Sequence, residues 1–89
     1  LNGRGVYSYL KHGYRAVDYH LDYWGPNAHR LLMEKRLDQP FQLTEETRSV
    51  SCSDDFGLQS VLSQGYVGVS LKRGEDNRHN QIVFQKRQD

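Results

Sequence analysis

A chain of 89 residues and 10.4 kDa, 36% apolar and 26% charged, with a net charge of +1, describes one small domain over residues 1–89. The balanced charge excludes a histone-like polycation and an acidic disordered tail. No apolar run nears the ~18 residues of a membrane-spanning helix, no apolar leader follows the first residue, and a start at Leu1 rather than Met suggests a fragment or a processed product.

In chain order, Gly5-Val6-Tyr7-Ser8-Tyr9-Leu10 is β-prone, and Lys11-His12-Gly13-Tyr14 reads as a turn with Gly13 available for positive φ. Val17, Tyr19, Leu21 and Tyr23 then alternate with Asp18, His20 and Asp22, the cleanest strand pattern in the chain. Together the two segments predict an N-terminal hairpin. Gly25-Pro26-Asn27 breaks the second strand, Asn27 is a good N-cap, and the helix formers from Ala28 to Leu37 predict a short helix, residues 30–37 as a strand being the alternative. Asp38-Gln39-Pro40 stops that element.

Phe41 to Leu43 reads as a short extended piece, Glu45-Glu46 as a solvated turn and Arg48 to Cys52 as a strand. Ser53 caps a second helix with Asp54 and Asp55 in its first turn, Leu58, Val61 and Leu62 as its apolar stripe, and Gly65 in a left-handed cap. Val67, Val69 and Leu71, then Ile82 and Phe84, mark two more strands around an exposed polar loop at about 72–80. This order predicts an α+β fold. It is an antiparallel β-sheet of four to six strands with one or two short helices packed on one face, a two-layer sandwich with a hint of split β-α-β connectivity. Ten aromatics, Trp24 among them, supply its core. The single Cys52 cannot form an intrachain disulfide, which favours a reducing, cytoplasmic setting and reads as a small core residue.

No phosphate loop, dinucleotide fingerprint, Cys-x-x-Cys or His-Glu-x-x-His is present, and no cofactor or metal is expected. Asp18, His20, Asp22 and His29 carry metal-ligand chemistry, since alternate strand residues share a face and a turn at Gly25-Pro26 can return His29. The simpler reading is the solvent face of an amphipathic strand. His12, His20, His29 and His79 titrate near neutrality, and His20 or His29 beside Arg15, Arg30 or Arg48 would serve a small metal-independent ribonuclease of the delivered-toxin type. Arg73, Arg78 and His79 in the polar loop could grip an anionic partner, but Glu75 and Asp76 within the same loop offset them, and a solvated loop is the simpler reading. The dibasic pairs Lys35-Arg36 and Lys86-Arg87 resemble processing sites, but the helix expected over 28–37 argues against cleavage at the first.

The surface richest in recognition chemistry is the N-terminal hairpin, where Arg4, Tyr7, Tyr9, Lys11, Tyr14 and Arg15 interleave tyrosine with positive charge. If Val6 and Leu10 point inward, Tyr7, Tyr9 and Lys11 face outward together. The expectation is therefore a small non-catalytic binding module that meets a protein partner or, through an unpaired strand edge, a second copy of itself. No membrane contact is expected. A single-stranded RNA-binding role is an alternative, disfavoured by the near-zero net charge, because phosphate neutralisation supplies much of such affinity.

Overall fold

The computed structural model describes residues 3–76 and 79–88. In chain order the elements are α1 (Gly3–Lys11), β1 (Arg15–His20), β2 (Arg30–Glu34), β3 (Leu43–Ser51), α2 (Asp55–Ser63), β4 (Tyr66–Lys72) and β5 (Gln81–Arg87). The strands form one five-stranded open sheet in the order β2-β1-β4-β5-β3, and neighbours run antiparallel. This is the expected small α+β fold. No helix among the described residues is long and apolar enough to cross a membrane.

The N-terminal hairpin is corrected: Gly3–Lys11 is a helix, and only its successor β1 is a strand. Burial explains the choice. A strand that buries Val6 and Leu10 buries Ser8 between them, whereas a helix places Val6 and Leu10 one turn apart on one face and leaves Ser8 exposed. The helix closes at Gly13, whose φ is 90°.

The helix over 28–37 is corrected too. Its centre is the edge strand β2, paired with β1 so that Leu31 lies opposite Tyr19 and Met33 opposite Ala16. Those contacts carry Leu31 and Met33 to the core, which an isolated three-turn helix could not do by propensity alone. Leu37, expected on the helical stripe, is exposed. The pieces expected around a turn at Glu45-Glu46 are one strand, β3, with a register shift between Leu43 and Thr47.

The C-terminal half follows the pattern read in the sequence. Asp54 rather than Ser53 caps α2, its carboxylate accepting from the Gly57 N–H at 3.0 Å. Gly65 follows with a φ of 87°, a backbone conformation that side chains disfavour. The described part of the polar loop comprises residues 73–76, 79 and 80; Asn77 and Arg78 lie outside the described residues.

A single core cluster draws Val6 and Leu10 from α1, Leu58, Val61 and Leu62 from α2, and Tyr19, Tyr66, Ile82 and Phe84 from the sheet. Cys52 belongs to it, and burial pushes its thiol up in pKa, as a small core residue rather than a reactive one. Gly68 on β4 marks a close approach between strands within the sheet. A Cβ there would stand 2.8 Å from that of Ala16 on β1 and 3.3 Å from the Phe84 ring.

Candidate functional site

The helical N-terminus divides the residues that a hairpin would have gathered. Successive helical residues rotate by about 100°, so Tyr7 and Tyr9 point roughly 200° apart, while Arg4, Tyr7 and Lys11 share a flank. On that flank the Arg73 guanidinium lies 4.7 Å from the Tyr7 ring centroid. Arg4, Tyr7 and Arg73, with Glu75, Asp76 and Asn80, line a cavity of about 240 Å³. Its acidic members balance its basic ones. On the other flank Tyr9 meets Tyr14 edge-to-face at 5.2 Å, and Lys35 sits 5.7 Å over the Tyr14 ring. Arg15 donates to the carbonyls of Leu10 (3.4 Å) and Tyr14 (2.8 Å), so its guanidinium closes the helix end. The structure thus brings Arg4 and Tyr7 together, sets Tyr9 with Tyr14 elsewhere, and leaves Lys11 exposed.

The histidines fall into a different pattern. The turn at Gly25-Pro26 does return His29 to the end of β1. There the Asp22 N–H donates to His29 Nδ1 at 2.9 Å, which leaves Nε2 to carry the ring proton, 3.3 Å from Asp55 Oδ2. The other Asp55 oxygen accepts from the Tyr19 hydroxyl at 2.7 Å. Burial, reinforced by that hydrogen bond, holds the Tyr19 phenol well above its usual pKa. Both nitrogens of His29 are occupied in a polar staple between the β1–β2 connection and the first turn of α2. Asp18 and His20 lie away from this staple, 3.4 Å apart and partly exposed. Among the described residues no group of three or more His, Cys, Asp or Glu is arranged to hold a metal ion. His12 Nδ1 bonds the Ser8 carbonyl at 2.7 Å, and His79 pairs with Asp76.

The feature that the sequence did not announce is the loop between β1 and β2. Asp22 and Asn27 adopt positive φ, and the Asp22 carboxylate accepts from the Asn27 N–H at 2.8 Å. Backbone bonds from Trp24 to Ala28, Gly25 to Asp22 and Ala28 to Gly25 close the loop on itself. It presents Trp24 at 70% exposure and Tyr23 at 50%, edge-to-face at 4.7 Å. The Arg30 guanidinium lies 4.8 Å over Tyr23, and the His20 ring is 5.7 Å from it. Trp24 is therefore not the core aromatic expected, nor is Tyr23 on the buried face of the strand. β1 ends at His20 and Asp22 takes a positive φ, so the alternation stops before it can bury either ring, earlier than the Gly25-Pro26 break read in the sequence.

No family model, curated protein or solved structure gives a significant match to the chain.

Proposed function

We propose that the chain is a small non-catalytic protein-binding module that works through the Tyr23–Trp24 loop. The observation that carries this reading is a tryptophan held 70% exposed on a loop fixed by its own hydrogen bonds. Trp, Tyr and Arg are the side chains that anchor interfaces, and a loop already ordered loses little entropy on docking. The N-terminal tyrosines are the poorer anchors. Tyr7 is covered on one face by Arg73, Tyr9 is engaged with Tyr14, and Arg15 serves backbone carbonyls. A net charge of +1 gives little general attraction for phosphate.

The test is affinity capture of partners on wild-type chain and on Tyr23→Ala/Trp24→Ala. A specific protein partner is expected to bind the double variant at least ~30-fold more weakly, the scale of one interface anchor. The melting temperature should move little, since both rings are largely solvated. Equal binding by the two chains would remove this surface from consideration.

One observation favours a second reading. The register sets His20 opposite Arg30, with Asp18 Oδ2 3.4 Å from His20 Nε2, the acid–base and cationic groups of the ribonuclease alternative. Mixed short RNA incubated with the chain decides it. Cleavage that vanishes in His20→Ala would replace the binding reading, and intact RNA with unchanged amide resonances ends both nucleic-acid roles.

A further inference from the structure

The two edges of the sheet are built differently. β3 carries Glu45, Glu46 and Arg48 on exposed positions and breaks its register between Leu43 and Thr47, the features that keep an edge from pairing with another chain. β2 carries no exposed charge along its centre, and the register shift in its ladder with β1, between Ala16 and Asp18, puts the extra residue on β1 rather than on the edge. Leu31, Leu32 and Met33 are half-buried, regular and without proline, and among the described residues β2 pairs with β1 alone.

The sequence of β2 is complementary to itself in reverse. Leu31 and Met33 lie opposite Tyr19 and Ala16 and so face the core, which places Arg30, Leu32 and Glu34 on the other face. Two antiparallel copies related by a two-fold axis at Leu32 set Arg30 opposite the partner's Glu34 on one face. On the other they set Leu31 opposite the partner's Met33. Each charge meets its opposite and each apolar side chain meets another, in cross-strand pairs on a shared face. Neighbouring registers lose this match. An axis at Met33 puts Leu32 against the partner's Glu34, and one at Leu31 puts Arg30 against the partner's Leu32. An axis between Leu32 and Met33 puts Arg30 against the partner's Lys35.

We infer that β2 is a homodimer edge, pairing with β2 of a second copy about Leu32 so that one sheet runs through both chains. The intrachain contacts of the two charges are compatible with this. Arg30 uses the face of its guanidinium on Tyr23, leaving the edge that pairs with carboxylates directed elsewhere. Glu34 is held to Arg36 in a partly exposed pair at 3.1 Å, a contact of small energetic value. The short strand makes a small interface, so the dimer is a reversible one that grows with concentration. It does not depend on the Tyr23–Trp24 loop, and loss of one leaves the other standing.

Sedimentation equilibrium across micromolar to millimolar concentration should show the mass rising from 10.4 kDa toward twice that value. Arg30→Glu and Glu34→Arg each oppose like charges at both ends of the pair and should weaken self-association about tenfold or more. An equimolar mixture of the two variants restores both ion pairs and should associate as the wild type does. Leu32→Cys provides a check that needs no change of charge. Directly opposed residues stand about 4.5–5.5 Å apart at Cα, within reach of a disulfide. Mild oxidation should therefore give a covalent dimer through residue 32 and none through Glu46→Cys on β3. A wild type that stays at 10.4 kDa throughout, a mixture no better than its components, or no cross-link at residue 32 would each overturn the inference.

Discussion

Phe84→Ala should cost about 3–5 kcal/mol of folding stability, the largest single loss available in this chain. Phe84 is fully buried on β5, within the cluster shared by both helices and the sheet. Its ring edge is 3.3 Å from where a Cβ on Gly68 would stand, so the two positions are shaped to each other. β5 is bonded to β4 on one side and β3 on the other, and a strand so held cannot shift far to fill the space left behind. That keeps the loss high in its range. Domains of this kind have a total stability of about 5–15 kcal/mol, so a measurable unfolded population should appear at room temperature. Urea unfolding followed by circular dichroism reads it as a lower midpoint at an unchanged slope. A loss below about 1 kcal/mol would place the centre of the core elsewhere.

Asp55→Ala should cost about 2–3 kcal/mol, because one carboxylate serves two elements at once. The substitution strands the Tyr19 hydroxyl inside the fold and removes the acceptor for His29 Nε2–H, and it takes a negative charge from the first turn of α2. Partial exposure of Asp55 lets water recover some of this, which keeps the figure below the sum of two fully buried bonds. A double-mutant cycle with Tyr19→Phe isolates the shared bond. The same bond gives a pH signature. The folded Tyr19 phenol has a raised pKa, so the unfolded chain releases its proton first, near the ordinary tyrosine value of about 10. Stability from Tyr19 is thus complete below about pH 10 and falls above it. In Tyr19→Phe the alkaline fall should be shallower but not absent. Tyr66, raised chiefly by its hydrogen bond to Glu46, and Cys52, raised by burial, contribute to the same limb.

Where local pattern and tertiary contact agree, the sequence was enough. Ile82 and Phe84 repeat every second residue because β5 buries one face, and Leu58, Val61 and Leu62 fall on a helical stripe because α2 does the same, whereas β4 buries Tyr66, Val67 and Gly68 in succession and shifts register between Gly68 and Ser70. The alternation read over Val17 to Tyr23 holds only in part: β1 buries Ala16 and Tyr19 across a register shift, ends at His20 and leaves Tyr23 exposed. Two segments failed because composition and contact disagree there. Tyr7 and Tyr9 are strong β-formers, yet α1 is fixed by Val6 and Leu10 and keeps both tyrosines at the surface. Leu31, Leu32, Met33 and Glu34 are good helix formers, yet their partners are Tyr19 and Ala16 across a strand pair, which no local window contains. The site failed for a related reason. The exposure of Trp24 depends on where the chain turns, and that turn rests on Asp22 and Asn27 at positive φ, held by a bond between them. The staple of Tyr19, His29 and Asp55 joins residues far apart in sequence and has no local signature at all.

The strand order has a consequence for how the chain reaches its shape. β1–β2 and β4–β5 are hairpins between neighbours in sequence, whose turns close on the microsecond scale. They join where Ala16 lies opposite Gly68, and β3 must cross from beside β2 to the far side of β5. The continuous sheet therefore waits on two long closures, each of which fixes much chain before it returns many contacts. The strand order therefore predicts a late docking of two ribbons and a folding rate low for a chain this short, which stopped-flow refolding would measure. Substitutions at Ala16 and Gly68, where the ribbons touch, are then expected to slow refolding.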